Sequence, residues 1–341
     1  MKKLYLIMAV LLVTTMLLSA CGGGGGAKFK ACQVTDTGGI DDKSFNATAW
    51  KGVEDAKKEF DIEGKYLESQ QQTDYEKNIN AFIEEKCDII ITVGFLLGDA
   101  TKAAAEANPD QKFSIVDYAY DPVIPNVLGQ VFNTDEAAFL AGYVAAGVTK
   151  TGAVGTFGGI QIPPVTVFMD GFYYGVQYYN EKHGTNVKVL GWDPVAQTGL
   201  FTGNFESTDD GRKMGETLID EGADIIMPVA GPVGLGTAAV AMERGNVYIV
   251  GVDNDWAIVN SNYADIVLTS VLKNMDVTTK AAIKAAKEGT FQGGVTVGTL
   301  ANGGVGLAPF HKLDSVVPAD LKAEIETVKQ DVIDGKVKTK P

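Results

Sequence analysis

"EEKCDIIITVGFLLG", Glu84 to Gly98, and "DEGADIIMPVAGPVG", Asp220 to Gly234, follow one pattern. Each passes from acidic residues into an uninterrupted apolar run and ends on a glycine. An apolar run without polar alternation is what a strand buried on both faces requires. Working outward, "KFSIVDY" (Lys112 to Tyr118) matches "VYIVGVDND" (Val247 to Asp255), with Asp117 and Asp253 at equivalent places. Both pairs are offset by 136 positions (224 − 88 and 253 − 117). Upstream, "TDTGGIDDKSFNATAWKGVEDA" matches "GTFGGIQIPPVTVFMDGFYYGV", Gly38-Gly39-Ile40 lying against Gly158-Gly159-Ile160 at an offset of 120. The second copy therefore carries about sixteen extra residues before its third strand (136 − 120). A constant offset across two elements is a duplication rather than a chance likeness.

The residues between these strands have helical patterning. Thr73-Asp74-Tyr75-Glu76 reads as a capping box opening a helix with Ile79, Phe82 and Ile83 on one face. "GDATKAAAEANPD" is helical up to Pro109. Alternation of strand and helix predicts an α/β fold, two similar doubly wound parallel-sheet lobes. Two later segments, Asn274-Met275-Asp276 and the glycine-rich "GGVTVGTLANGGVG", read as further crossings between lobes, so the hinge is multi-stranded. The expected division is residues 1–20 a signal peptide and 21–27 a lipidated Cys with a glycine tether. The N-terminal lobe would be 28–148 with 275–291, and the C-terminal lobe 149–274 with 300–337.

Lys2 and Lys3 precede an apolar run, Leu4 to Leu18, and Leu18-Ser19-Ala20-Cys21 follows. That is the layout of a secretory signal, shorter than the roughly 20 residues a membrane-spanning helix needs. Leu-Ser-Ala-Cys is also similar to the bacterial lipobox, which would make Cys21 the lipidated first residue, tethered by Gly22–Gly26. The formal charge of −14 becomes −16 when Lys2 and Lys3 leave (−14 − 2). This balance argues against nucleic acid or an anionic membrane surface as the main partner. Cys32 and Cys87 fall in or beside strands that are neighbours in many doubly wound sheets. An oxidising compartment would allow a disulfide, but nothing in the sequence fixes its geometry, and two separate buried thiols are the expectation.

Ligands of open parallel sheets bind beyond the carboxyl ends of the strands. Those ends carry Asp36, Gly94-Phe95, Asp117-Tyr118, Phe157-Gly158, Ala230-Gly231 and Asp253. No phosphate-binding Gly-x-x-x-x-Gly-Lys-Ser/Thr and no Gly-x-Ser-x-Gly elbow occurs. The two histidines, His183 and His311, lie in polar stretches, so no zinc site, catalytic triad or cofactor is expected. "GPVGLGTAAV" departs from the dinucleotide fingerprint in spacing, and backbone approach at Gly231 to an uncharged ligand fits it better. Asp41, Asp42 and Ser44 precede a helix, and capping accounts for them. Asp36, Asp117 and Asp253 each end an apolar strand. A buried carboxylate is costly unless it accepts hydrogen bonds or pairs with a cation. Sugar hydroxyls and base N–H groups are donors, and ionised phosphate is not. Phe45 and Phe205 stand in polar surroundings. Either each plugs a lobe surface, or the two rings sandwich a planar base.

The lipobox, "VTDTGGIDDKSFN", "FLAGYVAA", "DGFYYGVQYYN", "GADIIMPVAGPVGLG", "IVGVDND" and "VLTSVLKNMD" together resemble the Bmp family of nucleoside-binding lipoproteins. The likeness runs from about Lys28 to Phe310. It implies the type I periplasmic-binding fold and a non-catalytic substrate-binding component of an ABC importer. It further implies a monomer delivering a nucleoside to permease subunits from the outer face of the membrane. By motif, Asp36, Asn46 and Asp117 would hydrogen-bond the base, and Phe45 would stack on it opposite Phe205, with Phe201 as the alternative ring. Asp253 and Lys273 would hold ribose hydroxyls beside the Gly231 backbone. Trp256 departs from the Gln common in relatives. A sugar-like or signalling ligand in the same fold is the second reading.

Overall fold

A computed structural model describes residues 28–340. The signal segment, Cys21 and the glycine tether lie outside the described residues. In the first lobe the strands are β1 (Lys30–Val34), β2 (Glu63–Leu67), β3 (Ile89–Val93), β4 (Lys112–Val116) and β5 (Val127–Phe132). They align in the order β2-β1-β3-β4-β5, and β13 (Gly294–Gly298) extends the sheet beyond β5, all pairs parallel. The second lobe holds β6 (Ala153–Gly158), β7 (Lys188–Leu190), β10 (Ile225–Val229), β11 (Tyr248–Asp253) and β12 (Val267–Lys273). Their order is β7-β6-β10-β11-β12, closed by antiparallel β14 (Val305–Leu307). The two orders coincide, as the duplicated sequence predicts. Much of the extra length in the second copy forms a hairpin of β8 (Trp192–Asp193) and β9 (Thr198–Gly199) after β7.

β3 and β10 are buried at every residue, which is why their sequences show no alternation. Helices cover both faces: α1 (Phe45–Phe60), α2 (Tyr75–Glu84) and α3 (Gly98–Ala107) belong to the first lobe. The capping box before α2 is formed by Gln71 and Asp74, two residues earlier than the sequence reading placed it.

Two expectations are corrected. The first crossing between lobes falls at Asn133, after β5, and not after Val148. Helix α4 (Thr134–Val148) packs in the second lobe against α5 (Pro163–His183), with backbones almost touching. A Cβ on Gly142 would lie 2.1 Å from the Phe172 carbonyl oxygen, and one on Gly175 would lie 2.0 Å from that of Phe139. The remaining crossings run from β12 to α9 (Met275–Lys287), which packs on α1, and from β13 to β14. Second, Cys32 and Cys87 are bonded as a disulfide, with Cα atoms 6.1 Å apart. β1 and β3 are hydrogen-bonded neighbours, and that adjacency brings Cys87, just before β3, against Cys32.

Among the described residues no helix is long and apolar enough to cross a membrane.

Candidate functional site

The carboxyl ends of both sheets meet around a cavity lined by residues of both lobes, the place where open parallel sheets bind their ligands. Asp36, Asp117 and Asp253 line it, with Lys273 from the end of β12. Its walls are largely apolar and include Phe45, Phe95, Phe168 and Phe205.

The loop before α1 is held from within. Gly38 and Gly39 take positive φ, 98° and 76°, so the chain can turn back over the end of β1. Asp42 accepts N–H bonds from Ser44, Asn46 and Ala47 at 2.9, 2.8 and 3.0 Å, and thus caps α1 as expected. Ser44 does not cap. Its hydroxyl crosses the cleft and donates to Asp253 Oδ2 at 2.7 Å. Asn46 lines the cavity while its amide staples the loop: Oδ1 accepts the Asp36 N–H, and Nδ2 donates to the Thr37 carbonyl, both at 3.1 Å. One N–H and one lone pair of that amide remain for a ligand.

Asp36 Oδ1 accepts the Tyr75 hydroxyl and, at 2.7 Å, the Thr37 N–H. Its Oδ2 lies over Gly94, where a Cβ would come within 2.4 Å. Only glycine fits at that point, and there φ is 123°. Burial pushes the Asp36 carboxyl up to about 6, against the lowering effect of the Tyr75 and Thr37 bonds. Asp42 is likewise raised to about 6 by burial.

Asp117 Oδ2 is 2.5 Å from Lys273 Nζ, and both side chains are almost wholly buried. The ammonium also lies 4.9 Å from the centre of the Phe45 ring, 5.3 Å from Phe132 and 5.8 Å from Phe168. Burial raises Asp117 and Asp253, and the nearby Lys273 charge opposes the rise in both. Among the described residues no donor bonds Asp36 Oδ2, Asp117 Oδ1 or Asp253 Oδ1. One ammonium, paired with Asp117, therefore shares the cavity with three strand-end carboxylates that each keep an acceptor oxygen free.

Phe205 packs across Gly159 and lines the cavity, whereas Phe201 lies against Gly158, edge-on to Trp192 at 5.8 Å, and is not part of the lining. Gly231 opens the turn after β10 with φ 54° and also lines the cavity. Trp256 is core rather than site: its indole Nε1 donates to the Val252 carbonyl at 3.0 Å beneath the end of β11.

Sequence reasoning missed three contributors. Tyr75 reaches Asp36 from α2, and no local pattern marks it. Phe95 follows a strand end that was recognised but assigned no role. Phe168 had no such signal either, since the 120-residue offset sets it against Thr48 and sets Val165, also in the lining, against Phe45.

Neither histidine joins this cavity. His183 pairs with Glu324 at 2.9 Å and His311 with Asp255 at 2.6 Å. Among the described residues no group of three His, Cys, Asp or Glu is placed to hold a metal ion. What the arrangement can do is grip an uncharged, flat ligand rich in hydrogen-bond donors.

Comparison with known proteins agrees with this architecture. A family model described as Bmp, ABC transporter substrate-binding protein PnrA-like, matches residues 29–339. The chain is similar to the ABC transporter nucleoside-binding protein BmpA of Lactococcus lactis, at 31% identity over 90% of this chain and 88% of that one. It is similar to the basic membrane protein A of Borreliella burgdorferi at 33% identity, covering 88% and 84%. Among solved structures, an ABC transporter solute-binding protein from Aeropyrum pernix superposes with a TM-score of 0.80 at 27% identity, covering 91% and 92%.

Proposed function

The chain belongs to the Bmp family of PnrA-like ABC transporter substrate-binding proteins, and on that premise we propose that it binds a nucleoside, a purine one, between its lobes. It then presents this ligand to permease subunits for import, as a monomer anchored through Cys21 on the outer face of the cell membrane.

One observation carries the ligand class: three strand-end carboxylates with free acceptor oxygens share a cavity with a single ammonium and with the rings of Phe45 and Phe205. Carboxylates in a closed cavity need donors, which base N–H groups and ribose hydroxyls supply. A phosphate would bring acceptors and negative charge to the same place. The aromatic walls favour a planar base over a sugar alone, stacking being worth about 1–3 kcal/mol per base in other systems. In this reading Asp36, Asn46 and Asp117 meet the base between Phe45 and Phe205. Asp253 and Lys273 meet the ribose near Gly231. The name of the Lactococcus relative supports the ligand class. The disulfide is consistent with an oxidising, extracytoplasmic compartment.

The test is a thermal-unfolding panel of nucleosides, nucleobases, nucleotides and sugars. Stabilisation by a purine nucleoside above all others is expected. Stabilisation by a sugar and by no nucleoside would favour the sugar-like reading and overturn this one.

A further inference from the structure

Two rigid turns from opposite lobes meet at the rim of the cavity; Asp253 and Asp42 at their starts line it, and the residues that follow them do not. In the second lobe the turn is Asp253-Asn254-Asp255. The Asn254 N–H donates to the Val252 carbonyl at 2.9 Å. Asp255 caps helix α8 (Trp256–Val259) through the Ala257 N–H at 3.2 Å, and its other oxygen lies 2.6 Å from His311 Nε2. The Trp256 N–H is held by Ser270 Oγ at 3.1 Å. In the first lobe the turn is Asp42-Lys43-Ser44, fixed by the three N–H bonds to Asp42 and by Lys43 in the left-handed region at φ 50°.

Between these turns, Asn254 Nδ2 donates to the Lys43 carbonyl at 2.9 Å and to Thr48 Oγ1 at 3.2 Å. Both partners belong to the other lobe. The other end of the same amide, Oδ1, is buried with no hydrogen-bond partner. Closure thus gains two hydrogen bonds and loses the hydration of one acceptor. Such a balance leaves the closed form poised, so that ligand contacts tip it. The Ser44–Asp253 bond spans the same junction but uses a carboxylate assigned to the ligand.

We propose that Asn254 is a positioning residue, a cross-lobe latch that holds the cleft closed without touching the ligand. This rests on the chain working as a two-lobed binding protein and not on which ligand it takes. Because both turns are fixed within their own lobes, the amide meets its acceptors only when the lobes close, and the latch acts chiefly on ligand release.

The discriminating variant is Asn254→Asp, which removes the donor and sets a carboxylate against the Lys43 carbonyl. Thr48→Val, which deletes one acceptor, is the milder second variant. Spin labels at Gln72→Cys and Val195→Cys, both exposed residues near the sheet edges farthest from the hinge, report the lobe separation by pulsed electron paramagnetic resonance. Measurements are made without ligand in sucrose buffer, which favours compact states. Asn254→Asp should shift the distance distribution longer than that of the unsubstituted chain, and Thr48→Val less so. With guanosine as probe, dissociation from Asn254→Asp should be about tenfold faster, with association little changed. Superimposable distributions for the unsubstituted chain and both variants would overturn the latch. If guanosine fails to bind the unsubstituted chain, the nucleoside reading fails, while the distances still decide on the latch.

Discussion

Asp117 and Asp253 end equivalent strands of the two lobes with the same left-handed backbone, φ 67° and 69°. Each is held from the opposite lobe, Asp117 by Lys273 and Asp253 by Ser44. A non-glycine residue in this region is uncommon, and aspartate tolerates it better than most. The same conformation at both copies of a duplicated strand end points to a requirement for a carboxylate turned into the cleft.

Removing one partner of the buried pair should be costly. Asp117→Asn leaves the Lys273 ammonium without its counter-charge, and such losses run at about 3–5 kcal/mol. Urea unfolding of the ligand-free protein checks this. The double variant Asp117→Asn with Lys273→Met should recover most of the stability and still fail to bind nucleoside. Recovery of binding in the double variant would contradict the roles given to both residues.

Stacking should separate the two phenylalanines near the second lobe's loop. Phe45→Ala and Phe205→Ala should each weaken nucleoside binding by about 1–3 kcal/mol, measured by titration calorimetry. Phe201→Ala, which empties the packing beside Gly158 and Trp192, should lower the melting temperature and leave intrinsic affinity nearly unchanged. An affinity loss at Phe201 alone would reverse the assignment.

The raised Asp36 carboxyl gives pH effects of opposite sign on binding and on stability. A ligand donor needs the ionised form, so affinity should fall as pH drops through about 6, by up to about tenfold per unit for one site. For stability, Asp36 and Asp42 hold their protons more tightly folded (about 6) than unfolded (3.8). Their penalty is therefore fully present above about 6 and relaxes as pH falls towards 4. Ligand-free stability should gain from these two groups over the window in which affinity is lost. Calorimetry between pH 5 and 8 in two buffers should also show proton release on binding, and Asp36→Asn should flatten the profile.

The Cys32–Cys87 bond closes a loop spanning 55 positions. Replacing both residues by serine should cost about 2–4 kcal/mol in the chain-entropy account, since the bond constrains the unfolded chain. Alkylation of the denatured protein followed by mass spectrometry, with and without reductant, checks that the bond forms. Two alkylated thiols before reduction would show that it does not.

Much of this architecture could be read from the sequence because buried parallel strands announce themselves as apolar runs. Glu84–Gly98 and Asp220–Gly234 therefore revealed the duplication, and their neighbours revealed Asp117 and Asp253. What stayed hidden depends on register and on chain crossing. Whether Cys32 meets Cys87 requires knowing that β1 pairs with β3 and where the chain enters each strand. The first crossing was misplaced because α4 is apolar nearly all round, and such a helix does not say which lobe buries it. Ser44 reads as a cap from its neighbours. Its bond to Asp253, 209 positions away, exists only through closure of the two lobes.

The central claim is that the cleft takes a nucleoside and excludes phosphate, and titration calorimetry of guanosine against its 5′-monophosphate tests it most directly. The account predicts one-to-one binding of guanosine at micromolar Kd or tighter and at least about 100-fold weaker binding of the monophosphate, a difference of about 2.7 kcal/mol. Equal or tighter binding of the monophosphate would contradict it.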